Sequence, residues 1–383
     1  MNRIPLAWLQ LTREKRRFIA ALAGISFAVA MMLTQLGFEN ALLSSVALVQ
    51  EHLAGDLILL SPQYQFALSP GKVTERHLYQ TLAIDGVESV DPVYMAQGSF
   101  KNPTRRNEHL IFMIGFNPRA PLFTAPGVAE NLEKIRQPGK VLFDSIRRPE
   151  FGPVAEIFRE NGRAITEAGG KQVEIVGLYQ LGTGFGVDGS LVMSDETFLR
   201  LFPYRARGLI DVGLIKLKPG VDPKQMKAKV ARLLPPDVRV LTHAEYVEQE
   251  TTYWTTYTPI GYIFKLGTLM AIFVGCIIVY QILYTDVSDH LPEYATLKAM
   301  GYGDRYLLKV VLQESLILSI LGYFPGLLLT NLVYRVSRDA TLLPLHMTTT
   351  RAIVVYILTA LMCAVSAALV ARRLRAADPA EIF

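Results

Sequence analysis

Residues 18–38 read FIAALAGISFAVAMMLTQLGF, and this stretch contains no charged side chain. An α-helix rises about 1.5 Å per residue, so a stretch of this length reaches roughly 30 Å, the hydrocarbon thickness of a bilayer. The basic segment REKRR precedes it at residues 13–17. A cleaved signal peptide shares this flank, but here the apolar run continues past the cleavage-like AVA at residues 28–30. The stretch is therefore predicted to be an uncleaved membrane helix.

Three further stretches have the same apolar character, at residues 259–284, 309–334 and 352–371. Hydrophobic residues make up 51% of the chain and charged residues only 19%, with a mean hydropathy of +0.27. A soluble domain is about a quarter charged. Tyr253 and Trp254 precede the second stretch, as aromatic residues do at a membrane–water interface. These features predict a membrane α-helical fold with four transmembrane helices.

The distribution of basic residues predicts the orientation of these helices. Cytoplasmic flanks are enriched in Lys and Arg, and both the segment at 13–17 and the RRLR at 372–375 are strongly basic. Both ends are therefore predicted to be cytoplasmic, which an even number of spans allows. The loop at 285–308 is then cytoplasmic and the loop at 335–351 external, although the latter contains three Arg.

Residues 39–258 are predicted to form a large mixed α/β extracytoplasmic domain inserted between helices 1 and 2. Short apolar, β-branched stretches indicate strands, and capped periodic stretches indicate helices. Runs rich in Gly, Pro, Asn and charge indicate exposed loops. Predicted strands lie at 56–60, 110–114, 173–176, 212–217 and 238–241, predicted helices at 74–82 and 223–234, and predicted loops at 97–108 and 181–189.

The sequence contains no phosphate-binding loop of the type G-x-x-x-x-G-K-[ST]. Residues 184–189 supply two suitably spaced glycines, but Ser190 and Leu191 follow where Lys and Ser or Thr are needed. Such a loop cannot hold the terminal phosphates of ATP and their Mg²⁺. If ATP drives this protein, ATP and Mg²⁺ are expected to bind to another chain.

No pattern indicates an active site or a metal site in this chain. There is no G-x-S-x-G and no H-E-x-x-H, and the isolated polar residues Asp144 and Glu245 are predicted to be surface or capping groups. Cys276 and Cys363 lie separately in apolar stretches, which disfavours a disulfide or zinc framework. The net charge of +5 comes from residues beside the apolar stretches, so nucleic acid is not an expected partner. We predict neither an enzyme nor a cofactor in this chain.

The loop between the second and third predicted spans contains a short predicted helix. Pro292 suits a first helical turn, and Gly301 suits the position just after a helix. Tyr294, Leu297 and Met300 follow each other at intervals of three and form an apolar stripe. Sequence alone leaves two interpretations open, because an amphipathic helix can rest on the lipid surface or dock into a partner protein.

This loop resembles the signature of the FtsX-like permease family. The matching residues are EYATLKAMG at 293–301 and QES at 313–315, which leads into the third span. The basic tail RRLRAADPAE at 372–381 resembles the family's ending, and residues 6–15 resemble the helix that the family lays along the membrane. Within the family, residues 280–293 are most similar to the DevC-type permeases of cyanobacteria, which belong to exporters of envelope glycolipids.

The resemblance implies a homodimeric permease subunit of an ABC-type tripartite exporter in the bacterial inner membrane. Its implied partners are membrane lipid, a DevA-like ABC ATPase that binds ATP and Mg²⁺, a DevB-like periplasmic adaptor and a TolC-like outer-membrane channel. As in MacB, ATPase motion would reach the external domain and drive a lipid-like or other envelope substrate outward. The residues implied to form the ATPase-coupling helix are Glu293, Tyr294, Leu297, Lys298, Met300 and Gly301.

Two alternatives share this architecture: a lipoprotein-releasing permease, and an FtsX-like signalling permease that controls a cell-wall hydrolase. The predicted segments are a cytoplasmic amphipathic segment (1–17), transmembrane helix 1 (18–38), a periplasmic α/β domain with a MacB-like core (39–258), transmembrane helix 2 (259–284), a cytoplasmic coupling loop (285–308), transmembrane helix 3 (309–334), a short external loop (335–351), transmembrane helix 4 (352–371) and a cytoplasmic tail (372–383).

Overall fold

The computed structural model describes residues 15–184, 187–289, 296, 300 and 303–376. Two units divide the chain: a helical unit, formed by the chain up to Ala41 and from Ile260 onward, and an α/β unit from Leu42 to Pro259. The helices are α1 (Lys15–Val46), α2 (Leu48–Glu51), α3 (Glu75–Gln80), α4 (Val154–Asn161), α5 (Asp195–Leu201), α6 (Pro223–Leu233), α7 (His243–Thr252), α8 (Pro259–Asp289), α9 (Asp304–Thr341) and α10 (Thr349–Ala376). The strands are β1 (Leu57–Leu60), β2 (Val73–Thr74), β3 (Val87–Lys101), β4 (Glu108–Phe116), β5 (Lys140–Asp144), β6 (Ala164–Ala168), β7 (Lys171–Tyr179), β8 (Ser190–Ser194), β9 (Leu209–Ile210), β10 (Val212–Leu217) and β11 (Arg239–Thr242).

Among the described residues, four helices are long and apolar enough to cross a membrane: α1, α8, α9 and α10. With the α/β unit between the first two, they confirm the predicted fold class. Each helix continues beyond the apolar stretch, because polar residues at its ends extend the same hydrogen-bonded ladder. The connection between α9 and α10 therefore covers only residues 342–348, not 335–351. Leu342, in a left-handed conformation with φ 58°, ends α9.

The helices α1 and α9 lie in direct contact through glycine. Gly322 and Gly326 form a G-x-x-x-G pattern on α9, and such patterns let two helix backbones approach closely. A Cβ atom built on Gly326 would lie 2.7 Å from the backbone oxygen of Ser26 on α1. The Ser26 hydroxyl donates a hydrogen bond of 2.9 Å to the carbonyl oxygen of Gly322. Small residues thus fix this helix pair.

The described part of the α/β unit contains a sheet of nine strands in the order β11-β1-β10-β3-β4-β8-β5-β7-β6. A further pairing of β3 with β6, at Phe100 and Ala168, closes six of these strands into a ring. Most neighbours are antiparallel, but β4–β8 and β5–β7 are parallel. The strand–helix–strand prediction near the end of the unit is confirmed by β10, α6 and β11.

Both faces of this sheet are buried. Successive side chains of a strand point to opposite faces. Along β4, Ile111 and Met113 belong to one hydrophobic cluster, whereas Phe112 and Ile114 belong to another. This explains why β4 reads as a continuous apolar run, as does a strand covered on both sides.

The predicted loop at 97–108 is wrong for its first half. Strand β3 continues to Lys101 and pairs with β4 in the register Gln97 to Phe112 and Gly98 to Ile111, so only residues 102–107 connect the two strands. Long-range pairing here outweighs the weak strand propensity of Gln, Gly and Ser. In the predicted loop at 181–189, the described residues lie outside the sheet, but Thr183 is buried rather than exposed.

Candidate functional site

The predicted coupling segment is bounded by two continuous helices of the helical unit. Helix α8 runs to Asp289 and α9 begins at Asp304, so residues 285–289 and 304–308 of the predicted loop are helical. The segment between the helices is therefore 290–303. The segment is therefore flanked directly by Asp289 of α8 and Asp304 of α9, the ends of two long helices.

Of the six predicted coupling residues, the structure describes Met300; Glu293, Tyr294, Leu297, Lys298 and Gly301 lie outside the described residues. The side chain of Met300 is 63% exposed. Its backbone N–H donates a hydrogen bond of 3.0 Å to the carbonyl oxygen of Thr296. This i to i−4 spacing is that of an α-helix. The exposed thioether side chain is available to a neighbouring molecule, which suits either open interpretation of the segment.

An ion pair joins two helices at the end of the unit that carries the coupling segment. The guanidinium of Arg17, near the start of α1, contacts the carboxylate of Asp289, the last residue of α8. Both side chains are close to half exposed, so the pair contributes little to stability, in the range of about 0–1 kcal/mol. The ion pair matters for its position, because it links α1 to Asp289, the residue after which the coupling segment begins. The sequence contains both residues, but nothing in it indicates that they meet.

A buried carboxylic acid lies within the helical unit at Glu314. Its side chain is fully buried on α9, about 15 Å along the helix from Asp304. In the sequence, Glu314 belongs to the QES segment that leads into the predicted third span; in the structure, α9 begins earlier and Glu314 lies inside the helix. Ionisable residues inside membrane helices are costly and mark functional positions by default. The neighbouring Ser315 is equally buried and satisfies its hydroxyl by donating to the Leu312 carbonyl at 2.9 Å.

Arg351 lies near the start of α10, beside the end of α9 that is opposite to the coupling segment, and it is buried. Its guanidinium donates hydrogen bonds to the His346 carbonyl at 2.9 Å and to the Tyr334 hydroxyl at 3.4 Å. The Tyr334 hydroxyl donates in turn to the Leu33 carbonyl of α1. One of the three Arg residues that weaken the predicted orientation thus links α10, α9 and α1. These contacts explain the presence of Arg351 whichever side of the membrane it lies on.

In the α/β unit, Glu250 organises the residues that lead toward α8. Its carboxylate accepts hydrogen bonds from the Tyr64 hydroxyl at 2.9 Å, the Ala67 N–H at 3.1 Å and the Trp254 indole at 3.3 Å. Burial raises the pKa of Glu250, against the opposing effect of these donors. The residues that follow, Tyr253–Tyr257, form a turn of π-helix, a rare conformation that is frequent at functional sites.

Asp144 and Glu245 are structural groups of the α/β unit. The Glu245 carboxylate accepts from the Thr242 N–H at 2.8 Å and completes a capping box at the start of α7, as predicted. Asp144 is fully buried, so of its two predicted roles, surface or capping, the surface one is wrong. It accepts from the backbone N–H groups of Ile146, Leu181 and Gly182, and burial raises the pKa of its carboxyl to about 6. Asp144 thus holds Leu181 and Gly182, which follow β7, in place by hydrogen bonds.

The described residues contain no group of three or more His, Cys, Asp or Glu that could hold a metal ion. Cys276 and Cys363 are both free thiols within the helical unit. The described part also contains close helix contacts and buried polar links.

Parts of this chain are similar to known proteins. Among solved structures, the periplasmic region of MacB from Actinobacillus actinomycetemcomitans is similar at 8% identity, with a TM-score of 0.35, covering 52% of this chain and 94% of that chain. The extracellular domain of the ABC-type transporter YknZ from Gram-positive bacteria is similar at 14% identity, with a TM-score of 0.33, covering 49% of this chain and 99% of that chain. No curated protein matches the chain.

Two family patterns match most of the sequence. The MacB-like periplasmic core domain matches residues 18–233, and the FtsX-like permease C-terminal domain matches residues 266–379. Permeases of this kind are multipass membrane components that work with ABC ATPase partners. The predicted family is confirmed: the chain belongs to the FtsX-like, MacB-type permeases of ABC transporters.

Proposed function

We propose that this chain is the permease subunit of a tripartite ABC exporter, acting as a homodimer in the bacterial inner membrane with both termini in the cytoplasm. It contributes no catalysis of its own. A partner ATPase binds and hydrolyses ATP with Mg²⁺, and this chain converts the resulting motion into movement of its periplasmic domain. The cargo is a lipid-like or other envelope molecule.

One observation carries the proposal: the residues that bound the coupling segment, Asp289 and Asp304, are the ends of two long helices. Helix α8 has 31 residues, about 46 Å, and follows directly on the periplasmic domain at Pro259. Helix α9 has 38 residues, about 57 Å. Both exceed the roughly 30 Å of a hydrocarbon core. A helix of this kind can carry a push at Asp289 to the point where the periplasmic domain begins.

The specific partners rest on the similarity of residues 280–293 to DevC-type permeases. On that basis the ATPase is DevA-like, the periplasmic adaptor DevB-like and the outer-membrane channel TolC-like. Membrane lipid surrounds the four helices, whose outward side chains are largely apolar. A lipoprotein-releasing permease or an FtsX-like signalling permease would use the same helices, so the test must separate transport from signalling.

Reconstitution with the candidate ATPase tests the proposal. The purified chain alone is expected neither to bind nor to hydrolyse ATP, because it lacks the phosphate-binding loop. Vesicles that contain both proteins should hydrolyse ATP faster than the ATPase alone, and the periplasmic adaptor should increase the rate further. Deletion of the gene for this chain should cause an envelope molecule to accumulate in the inner membrane. Tight ATP binding by this chain alone would contradict the assignment, and a deletion that impairs only cell separation would favour signalling.

Cysteine labelling tests the proposed orientation. Single cysteines at Arg105 and Asp237, both exposed in the α/β unit, should react with an impermeant thiol reagent in intact cells whose outer membrane is permeabilised. Cysteines at Lys15 and Arg372, exposed at the ends of α1 and α10, should react only after lysis. The background carries serine at Cys276 and Cys363. The opposite labelling pattern would refute the orientation.

A further inference from the structure

Asp144, the last residue of β5, is a buried acid that is held by neutral hydrogen-bond donors. The backbone N–H groups of Leu181 and Gly182 donate to its carboxylate at 3.2 and 3.1 Å. The Ile146 N–H donates at 2.9 Å and the Ser190 hydroxyl at 3.2 Å. Among the described residues, no Lys, Arg or His forms an ion pair with Asp144. The ionised carboxylate therefore has no counter-charge in contact, a state that burial disfavours.

The cations that follow Asp144 in the chain contact other groups. The guanidinium of Arg147 forms an ion pair with Glu156 at 3.2 Å. Arg148 forms one with Asp188 at 2.7 Å, and both of those side chains are partly exposed. These charges are matched within their own pairs, so they do not offset the burial of Asp144.

Tyr179 is the titratable group that faces Asp144 from β7. Its hydroxyl donates to the Ser190 hydroxyl at 2.6 Å, and Ser190 donates in turn to Asp144. Burial raises the pKa of Tyr179 far above its ordinary value, so this hydroxyl stays protonated while a carboxyl titrates. Residues 181–184 are Leu, Gly, Thr and Gly and carry no ionisable side chain. Within this cluster, Asp144 is therefore the group that changes charge near neutral pH.

The segment that Asp144 holds, residues 181–184, lies against the end of α1. A Cβ atom built on Gly184 would overlap the carbonyl oxygen of Ser45, so the two backbones are in contact. Residues 181–184 and 45–49 line an enclosed space of only about 10 Å³, room for one water molecule at most. All of these residues belong to the α/β unit. Asp144 thus holds the segment that covers the end of a membrane helix.

The effect of pH on this contact has a definite sign. In the closed arrangement, burial raises the pKa of Asp144 to about 6. An aspartate exposed by opening of the segment would titrate near its ordinary pKa of about 3.9. The closed arrangement therefore binds the proton more tightly, so acid favours closure and a higher pH favours opening. These two values correspond to an opening equilibrium about tenfold larger at pH 8 than at pH 5, with little further rise above pH 7.

We propose that Asp144 is a pH-sensitive switch: its protonated form keeps the segment 181–184 closed over the end of α1, and its ionisation favours release of the segment. The switch goes beyond the proposed function, because it depends on neither the cargo nor the ATPase. With the α/β unit outside the cytoplasm, as proposed, the external pH would set how firmly the end of α1 is held. Acid would stiffen this connection and neutral conditions would loosen it.

Hydrogen exchange of the full-length chain in lipid nanodiscs tests the switch. Exchange is followed by mass spectrometry between pH 5 and pH 8, on peptides that contain Leu181 and Gly182. Each rate is divided by the intrinsic exchange rate at that pH, which yields the opening equilibrium of the segment. This equilibrium should rise about tenfold from pH 5 to pH 8 and level off above about pH 7. The measurement needs no partner protein, so its outcome is independent of whether the chain exports anything.

Three variants decide whether Asp144 is responsible. Asp144→Asn cannot ionise and should remove the pH dependence. Ser190→Ala removes a donor that favours the ionised form, so the rise should level off at a higher pH. Asp188→Asn removes an exposed acid from the neighbouring stretch and should leave the response unchanged.

Four results would overturn the proposal. The first is a corrected opening equilibrium of the unsubstituted chain that stays constant or falls as the pH rises. The second is a folded Asp144→Asn chain that keeps the full response, and the third is loss of the response in Asp188→Asn. If Asp144→Asn does not fold, Ser190→Ala decides, and a response that levels off at the original pH is the fourth.

Discussion

Leu297→Asp is expected to abolish export and to release the partner ATPase, while the chain stays inserted in the membrane. The hydrogen bond from Met300 to Thr296 indicates an α-helical turn here, and the spacing of three residues predicts that Leu297 shares the face of the exposed Met300. If this face docks into the ATPase, Leu297 lies at the centre of the apolar contact, where a residue commonly contributes about 2 kcal/mol or more, roughly thirtyfold in affinity. A buried, unpaired carboxylate adds a desolvation cost to that loss.

The measurement is co-purification of the ATPase with the tagged permease, together with export in cells. A matched control is Ser288→Asp, which adds the same charge at an exposed position near the end of α8, beside the ion pair of Arg17 and Asp289. It should leave both association and export close to normal. If Leu297→Asp retains the ATPase at the normal yield and export continues, the segment rests on the lipid surface, and the docking interpretation of its apolar stripe is wrong.

The sequence is sufficient to predict the four spans, because hydropathy and length are local properties of each stretch. It is less informative about where the helices end. Residues 335–341 contain Arg335 and Arg338, which read as a loop, yet they continue the hydrogen-bonded ladder of α9. Nothing in local composition separates a polar helical turn beyond the bilayer from a polar loop.

The α/β unit shows a second limit of local reasoning. Strands β1, β4 and β7 are confirmed because their apolar, β-branched content is distinctive. The parallel pairing of β4 with β8, and the closure of β3 onto β6, join segments far apart in the chain, so they could not be predicted from any local pattern. Gln97 and Gly98 are predicted as loop because of their composition, although they pair with Phe112 and Ile111 of the next strand, β4.

The candidate site divides in a similar way. The coupling segment is visible as a motif, because its helix signals and family signature are contiguous. Glu314 and Arg351 are visible as charges, but their burial depends on which helices surround them. The sequence predicts an interfacial position for Tyr253 and Trp254. The stacking of Tyr253 on Phe66 requires the folded loop after Tyr64, which Glu250 holds in place.

Gly326→Leu is expected to destroy the packing of α1 against α9 and, with it, the folded helical unit. A Cβ atom at this position would lie 2.7 Å from the Ser26 backbone oxygen and 2.7 Å from the Val29 Cβ atom. Neither neighbour is the end of a flexible side chain, so the two helices must separate. Separation also removes the hydrogen bond from the Ser26 hydroxyl to the Gly322 carbonyl. Overpacking by a methylene group costs about 1–3 kcal/mol, and leucine adds several such groups against backbone.

The measurement is the midpoint of unfolding by SDS in mixed micelles, compared with Gly326→Ala and Gly303→Ala. In an ordinary helix, Gly→Ala is stabilising by up to about 1 kcal/mol, so a destabilising Gly326→Ala would itself demonstrate the close contact. Gly303 precedes α9 with nothing within 4 Å of its added Cβ atom, and its substitution should shift the midpoint little. A normal midpoint for Gly326→Leu would mean that α1 and α9 separate at no cost. In that case the glycine contact would not hold the helical unit together, and a push on α9 at the coupling segment would not be passed to α1.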